Sequence, residues 1–426
     1  MFVAFILILI YVGLLYVRPQ EYVQALQSIP VMQVFLSVSF IFWLAQPNKR
    51  LDASQHWLLP SLLLVMALSV AVNGWLGGAL AIIVDFSPIV ILFYLISTST
   101  DTLAKHRLFI KFLALATTVL AAHGIDQIET GIGWSGAKVR DGRITYLGIF
   151  NDPNDLALAF VIALPMLIYG ISETRLRIGK IFWLSCFAIV LYGIYLTNSR
   201  GGMLATIALF VVYFYRKYGF ARSSVLVSLG LVALSFLPSR LSEIDAGEES
   251  AAGRVDAWHA GIQMLLRKPI LGVGKGLFTE HNYLTAHNSI VLAFAELGLV
   301  GYFVWLAVVG LSVHMVYKIA MKTSGQMGIP QGDDQTEWIQ YKEVSQVYLY
   351  AMLGFFAAAL FLSRSYNSLL FILCGLCVGL YQSVRIRWPN FDTITFKKIA
   401  IRLLGFEIGS IVFMYILVKL LLWLGQ

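Results

Sequence analysis

The sequence predicts an all-α, polytopic integral membrane protein, and two observations carry that prediction. Hydrophobic residues make up 59% of the 426 residues and charged residues only 13%, against roughly a quarter in soluble domains. Uncharged apolar runs such as 2–17, 57–75 and 223–237 are each about long enough to cross a bilayer as a helix. The sequence lacks the alternating pattern of a membrane β-barrel, so helices are the expected spanning elements.

Twelve transmembrane helices and a thirteenth candidate are predicted, within a single transmembrane domain of residues 1–426. Gly298 and Gly301 interrupt the tenth segment, which indicates a short helix that leads into a crossing helix. Glu407 and Lys419 lie inside the last segment, so it is the thirteenth candidate. The segments are 2–17, 31–45, 57–75, 79–98, 108–124, 155–172, 180–196, 202–216, 222–237, 288–317, 343–363, 366–384 and 403–424.

Charge placement predicts the orientation of these helices. Lys and Arg concentrate in the short loops that follow even-numbered segments, from Lys49 and Arg50 to the basic segment 385–402. Short loops rich in Lys and Arg stay in the cytoplasm. We therefore predict a cytoplasmic N-terminus and a cytoplasmic basic segment. The net charge of +8 then reflects orientation in a lipid bilayer, and no nucleic-acid partner is expected.

Two long loops face outward on this map, a first loop at 125–154 and a large loop at 238–287. We expect the large loop to carry catalytic elements. Apolar residues at helical spacing predict an amphipathic helix within it that lies on the outer leaflet. The residues of that apolar stripe are Val255, Trp258, Ile262 and Leu265.

A very short turn between two apolar segments, Leu196 to Met203, holds an arginine and two glycines. Arg200 in this turn is suited to bind an anionic headgroup where lipid meets water. Gly201 and Gly202 would let a large group approach the backbone and the following helix N-terminus. The structural alternative is an arginine that merely extends from a hairpin turn to the membrane surface.

The large outer loop supplies two companions for the arginine of this turn. Arg254 lies at the start of the amphipathic helix, and His287 stands at the start of the tenth segment. Each has a structural alternative, which is helix packing for Arg254 and an ordinary hydrogen-bonded histidine for His287. His259 and His281 are the competing histidines.

Five further polar residues are predicted to contact substrate, namely Arg143, Lys275, Asn288, Arg364 and Asp85. Asp85 would lie about 9 Å below the outer end of the fourth segment. A carboxylate at that depth should face a polar cavity or a basic partner, and the alternative is a packing residue bonded to a nearby hydroxyl. Outward-facing Asp and Glu do not cluster in the sequence, so no metal site is predicted.

Several short blocks occur in an order that resembles the O-antigen ligase and polymerase superfamily. The ordered set covers about residues 140–305, and the rest of the chain is similar in hydropathy alone. The blocks are 143–154, 198–202, 253–258, 269–274, 286–289 and 296–301.

The resemblance implies a membrane glycosyltransferase that needs no metal and no cofactor, in the bacterial inner membrane with a periplasmic active site. Its donor would be a glycan linked to undecaprenyl diphosphate. The acceptor hydroxyl would belong to lipid A-core in a ligase, which completes lipopolysaccharide, to another repeat unit in a polymerase, or to a protein in related enzymes. We take ligation as the expected reaction and polymerisation of surface-polysaccharide repeat units as its alternative.

A lipid-linked glycan flippase is the alternative from another class of protein. Transporters commonly place charges deep within the spans and contain internal repeats. This sequence instead concentrates its candidate charges in outward-facing elements and shows no internal repeat, which favours the transferase.

The predicted chemistry follows from the residue types. Arg200 and Arg254 can hold the oxygens of a lipid diphosphate in paired hydrogen bonds while charge develops on the leaving group. His287 can accept the proton of the incoming hydroxyl, because its ordinary pKa lies near neutrality. It could instead orient the diphosphate, and the sequence leaves both roles open.

Reporter fusions test the predicted orientation. Fusions after Leu51, Thr100, Thr174 and Lys322 should report cytoplasm, and fusions after Gly131 and Glu249 should report periplasm, because the positive loops stay inside. A cytoplasmic signal after Glu249 would separate the predicted site from the outer leaflet and would contradict the scheme.

Overall fold

The computed structural model describes residues 2–235, 249–327 and 332–424, and within these ranges it contains helices and no β-strand. The all-α prediction is confirmed. The helices are α1 (Phe2–Val17), α2 (Pro19–Tyr22), α3 (Gln24–Gln27), α4 (Val31–Leu44), α5 (Gln55–Val72), α6 (Leu76–Ser99), α7 (Leu103–Thr130), α8 (Pro153–Glu173), α9 (Arg177–Leu196), α10 (Arg200–Ser235), α11 (Glu249–Arg267), α12 (Ser289–Met321), α13 (Asp333–Ala359), α14 (Ser368–Arg387) and α15 (Phe396–Leu424).

Eight helices in the described ranges are long and apolar enough to cross a membrane, namely α5, α6, α7, α8, α9, α12, α14 and α15. Two shorter apolar helices, α1 and α4, accompany them. These helices confirm the prediction of a polytopic membrane protein. The predicted total of twelve or thirteen crossings stays a prediction. α15 contains the thirteenth candidate and is one of the eight.

Two of the long helices contain a break at glycine. α10 covers the predicted segments eight and nine, and its backbone leaves helical geometry at Gly219, with φ 76° and ψ 178°. α12 breaks at Gly298, with φ 63° and ψ −169°. The predicted short helix that leads into the tenth crossing is therefore present as the part of α12 before Gly298.

The chain forms two compact units, each assembled from segments that are distant in sequence. Unit 1 comprises Met1–Gln46, Thr102–Ile244 and Thr336–Ala358, and unit 2 comprises Pro47–Asp101, Asp245–Gln335 and Ala359–Gln426. The prediction that residues 1–426 act as one transmembrane domain is not tested by this division and stays a prediction.

In unit 1, the largely buried helix α8 packs against α7, α9 and α10. The predicted first outer loop folds onto these helices, because Ile144, Tyr146 and Phe150 are buried. The Tyr146 hydroxyl donates to the carbonyl oxygen of Val17. Burial is the main cause that raises the pKa of Tyr146 above its ordinary value, so this loop has a folded interior of its own.

In unit 2, α12 is the central helix and packs against α5, α11, α14 and α15. The segment 269–274 runs across the break in α12 with its backbone in direct contact. The N–H of Leu299 donates to the Pro269 oxygen over 2.7 Å, and the N–H of Gly274 donates to the Glu296 oxygen over 2.9 Å. These bonds satisfy backbone groups that the break would otherwise leave unpaired in an apolar interior.

Glycine is required on both sides of this contact. A Cβ on Gly272 would lie 2.4 Å from the Glu296 carbonyl, and a Cβ on Gly298 would lie 2.5 Å from the Ile270 carbonyl. Both residues also have positive φ. The two glycine-bearing blocks 269–274 and 296–301 are therefore packing partners of each other.

Gly298→Ala should lower the free energy of unfolding by about 2–4 kcal/mol, because the new methyl group clashes with backbone and the φ is strained. Gly405→Ala is the matched control, since α15 leaves open space at Gly405 and alanine favours a helix. Thermal unfolding in detergent measures both variants. Equal midpoints for Gly298→Ala and the unsubstituted protein would contradict this account of the break.

Candidate active site

The turn around Arg200 is built from side chains that satisfy its own backbone. α9 ends at Leu196 and α10 begins at Arg200, so the turn is as short as the sequence predicted. Asn198 has a left-handed backbone with φ 47°. The Ser199 hydroxyl accepts the N–H of Gly202 over 3.2 Å and thereby caps α10.

The two glycines of this turn have different environments. A Cβ on Gly202 would lie 2.6 Å from the Cβ of Ala157 in α8, so Gly202 allows close helix packing. The predicted role in admitting a headgroup is therefore wrong for Gly202, because the space beside it is occupied by α8. Gly201 is half-buried, and its predicted role in admitting a headgroup stays a prediction.

Arg143 holds the Arg200 turn from the first outer loop. Its Nε donates to the Thr197 oxygen over 2.8 Å, and its Nη2 donates to Oδ1 of Asn154 over 3.0 Å. The Ser199 hydroxyl donates to the same Asn154 oxygen over 2.7 Å. The network joins three segments of unit 1 directly beside Arg200, so we interpret Arg143 as a positioning residue. The predicted substrate contact of Arg143 stays a prediction.

His287 is held by a serine from a distant loop of unit 2. Its backbone N–H donates to the Ser363 hydroxyl over 2.8 Å, and the Thr285 hydroxyl donates to the same oxygen over 2.9 Å. His287 has a left-handed backbone with φ 45°, a conformation that non-glycine residues adopt at some cost. These contacts fix the position from which the half-buried imidazole extends.

Arg364 lies in the same arrangement, because its backbone is bonded to the residue that begins α12. The Arg364 N–H donates to the Ser289 hydroxyl over 2.8 Å, and the Ser289 hydroxyl donates to the Leu362 oxygen over 2.6 Å. The Ser365 hydroxyl donates to the Ser289 oxygen over 2.6 Å. The structure thus brings together two predicted site residues, His287 and Arg364, that are far apart in sequence.

Asn288 caps α12. Its Oδ1 accepts the N–H groups of Ile290 and Val291 over 2.9 and 3.1 Å, and the residue is 2% exposed. This geometry favours a structural role, because the oxygen is used by the helix terminus. The substrate contact predicted for Asn288 remains untested.

Arg254 lies near the start of α11, where it is half-buried. The helix begins at Glu249, five residues before Arg254, whereas the sequence placed Arg254 at the helix start. The chain that leads to His287 passes close to this point, since a Cβ on Gly253 would lie 3.1 Å from Cδ1 of Leu284. Unit 2 therefore places Arg254 and His287 in one neighbourhood. Residues 236–248, which the predicted large loop includes in part, lie outside the described residues.

The apolar stripe of α11 packs largely against protein. Ile262 and Leu265 are buried, and α11 packs on α12 and α15. A Cβ on Gly261 would lie 2.4 Å from the Val291 side chain. The amphipathic helix is thus present with its apolar face covered in part by α12, and its contact with the outer leaflet stays a prediction.

Lys275 is engaged with two neighbours in unit 2. Its Nζ lies 5.7 Å from the ring centroid of Tyr366, and its charge interacts with the carboxylate of Glu296. Glu296 is 3% exposed, so the ammonium compensates a carboxylate that burial would otherwise destabilise. These contacts favour a structural role for Lys275 over the predicted substrate contact.

Asp85 is exposed on α6. Ala81, one turn before it, is also exposed, and Pro88 and Ile89, one turn after it, are half-buried. In the described part of the chain Asp85 makes no ion pair. The expectation that it faces a polar cavity or a basic partner finds no support in this position, because the residues one turn away on α6, Ala81, Pro88 and Ile89, are apolar.

The sequence analysis did not predict three side chains that position site residues, namely Asn154, Ser199 and Ser363. Ser199 and Asn154 belong to blocks that were recognised, but neither carries a charge that would single it out. Ser363 lies 76 residues from His287 in sequence, and no sequence pattern connects a serine at that distance with the histidine.

Within the described residues, no group of three or more His, Cys, Asp or Glu side chains could hold a metal ion, and the predicted metal independence stays a prediction.

Arg143→Ala should lower the free energy of unfolding by about 1.5–3 kcal/mol, the usual range for hydrogen bonds to a charged group. Arg143→Ala and Asn154→Ala should couple by more than about 0.5 kcal/mol in a double-mutant cycle, since they share a bond. Arg140→Ala is the control, because Arg140 is exposed three residues away. Additive effects at 143 and 154 would contradict the network.

Residues 185–306 match a family described as O-antigen ligase, and the match includes Arg200, Arg254, Lys275 and His287. A search of curated proteins finds no significant match. Members of the family are membrane enzymes of the glycosyltransferase type. The match confirms the resemblance for the blocks between residues 198 and 301, and residues 185–306 are similar to the O-antigen ligase domain. The block 143–154 lies outside the matched range, and its resemblance stays a prediction.

Proposed function

We propose that the protein transfers a glycan from undecaprenyl diphosphate to a hydroxyl acceptor at the periplasmic face, as in ligation of O-antigen to lipid A-core. The single observation that carries the proposal is the arrangement at the start of α12. There His287 and Arg364 are held side by side through backbone hydrogen bonds to Ser363 and Ser289. An imidazole and a guanidinium that extend from two fixed, neighbouring backbone positions suit proton transfer beside an anionic leaving group.

The proposed reaction is a single displacement. The acceptor oxygen forms a bond to the anomeric carbon of the donor glycan, while the bond from that carbon to the diphosphate oxygen breaks. The electron pair leaves with undecaprenyl diphosphate, and an imidazole nitrogen of His287 takes the acceptor proton and later releases it to water. Arg200 and Arg254 bind the diphosphate, whose charge grows as the bond breaks.

Deletion of the gene separates this proposal from its alternatives. A ligase deletion should leave complete polymer on the lipid carrier, because only the final transfer is lost. A polymerase deletion should leave single repeat units on the surface, and a flippase deletion should trap lipid-linked glycan inside the cell. Analysis of surface and lipid-linked glycan by electrophoresis and mass spectrometry distinguishes the three results.

Arg200→Ala should reduce the rate of glycan transfer by about 10²–10³-fold, the typical effect of losing a donor to a developing anion. Arg200→Lys should restore only part of it, because lysine offers a point charge and no paired donors. Turnover of purified protein with lipid-linked glycan measures both. Arg140→Ala should retain full activity as the control, and full activity of well-folded Arg200→Ala would return Arg200 to the structural alternative.

His287→Ala should depress single-turnover transfer while donor affinity stays nearly unchanged, if the imidazole deprotonates the acceptor. The pH–rate profile should lose a limb near neutrality, because that limb reports ionisation of the base. If His287 instead holds the diphosphate, donor affinity should fall together with the rate, as expected for a contact made in the ground state.

His281→Ala serves as the control for that experiment, because His281 is an exposed histidine six residues earlier in the same predicted loop. It should leave both the rate and the donor affinity unchanged. An unaltered rate for His287→Ala at all neutral pH values would defeat both roles of His287.

A further inference from the structure

A polar cavity lies at the opposite end of α12 from His287. It has a volume of about 230 Å³ and is formed by α12, α15 and the connecting residues before α15. His314 and Lys318 line it from α12, and Lys398 and Arg402 line it from α15. At the usual helical rise, the chain of α12 between Ser289 and His314 is roughly 38 Å long, so this cavity is separate from the candidate active site.

The lining concentrates positive charge. Lys398 and Arg402 are one helical turn apart on α15, and Lys318 faces the same cavity from α12. Like charges at this spacing repel each other. Within the described residues, neither Lys318 nor Arg402 makes an ion pair with a carboxylate, so a bound anion would offset the repulsion.

The only carboxylate that lines the cavity in the described structure is already bound elsewhere. Asp392 lies 2.9 Å from Nζ of Lys322 through its Oδ2 atom. Its charge is therefore shared with a fourth cation, Lys322, and the cavity keeps an excess of positive charge.

The wall of the cavity is held by hydrogen bonds that do not depend on a ligand. The Tyr381 hydroxyl donates to the Asp392 carbonyl over 3.0 Å and accepts the N–H of Ile394 over 2.8 Å. Nζ of Lys398 donates to the Thr393 carbonyl over 2.8 Å. A site whose shape is already fixed loses little entropy when a ligand binds.

The adjoining surface of α15 identifies the kind of anion. Ile401 and Phe406 are 81% and 61% exposed and lie on α15 next to Arg402, and α15 is long and apolar enough to span the membrane. Acyl chains can cover these side chains, which a free phosphate ion cannot do. Basic pockets between membrane helices are suited to phospholipid headgroups.

We propose that this cavity binds the phosphate of an anionic phospholipid whose acyl chains lie along α15. The charge bias of the loops assigns this end of α12, with the basic segment 385–402, to the cytoplasmic leaflet. The site is independent of the glycan-transfer proposal, because it uses none of the residues placed there.

Native mass spectrometry of the full-length protein tests the proposal, with phosphatidylglycerol and phosphatidylethanolamine as the two probe lipids. The unsubstituted protein should retain one phosphatidylglycerol in preference to phosphatidylethanolamine. Lys318→Gln combined with Arg402→Gln should bind that lipid roughly 10–30-fold more weakly, since each basic residue near a headgroup contributes about fivefold. Equal retention by this variant would overturn the proposal.

Arg175→Gln combined with Arg177→Gln is the matched control, because it removes the same charge from a loop on the same predicted face. It should keep the specific lipid, and an equal loss there would mean diffuse attraction to the leaflet. Release of the lipid by low millimolar inorganic phosphate would mean a site for free anions and would also overturn the proposal.

Two further measurements guard against a folding defect. In phosphatidylethanolamine discs the double variant should unfold at the same temperature as the unsubstituted protein, whereas phosphatidylglycerol should stabilise only the latter. If the double variant is unstable, the charge-conserving pair Lys318→Arg and Arg402→Lys decides the question. That pair should retain phosphatidylglycerol over phosphatidylethanolamine, and loss of the preference would contradict the site.

Discussion

The backbone contact between the segment 269–274 and the break in α12 is the constraint on which unit 2 depends. A helix that breaks in an apolar interior exposes N–H and carbonyl groups that water cannot reach. Here the glycine-bearing segment supplies the partners, and Gly272 and Gly298 allow the two backbones to meet without side chains. The break separates a short capped helix from the long crossing helix, so the residues around His287 can be arranged independently of the crossing.

Hydroxyl side chains solve the same problem at two predicted catalytic positions. Ser199 accepts the N–H that would otherwise be unpaired at the start of α10, and Ser363 accepts the N–H of His287. In each case the hydroxyl fixes the backbone from which the basic or imidazole side chain extends. A fixed donor or base costs little reorganisation when charge develops in a reaction, which is why these serines matter to the proposed chemistry.

Positive charge occurs at both ends of α12 with different surroundings. Near His287, the polar side chains of unit 2 are tied to loops through backbone hydrogen bonds, and Lys275 compensates the buried Glu296. At the far end, Lys318 and Arg402 face an open cavity beside exposed apolar surface. The first arrangement suits a reaction at a defined position, and the second suits a lipid headgroup that enters from the bilayer.

The sequence by itself determined the helical class, the location of most helices, the glycine break in α12 and the resemblance to O-antigen ligases, because hydropathy and short ordered motifs are local properties of the chain. Only the tertiary structure decided what the polar residues contact. In the structure, Arg143 holds the Arg200 turn and Asn288 caps α12. Gly202 packs against α8, and Asp85 is exposed on α6. Such contacts join segments far apart in sequence, as Ser363 and His287 show. Which two residues make such a contact does not alter the periodicity or the composition of either segment, so a sequence pattern cannot reveal it.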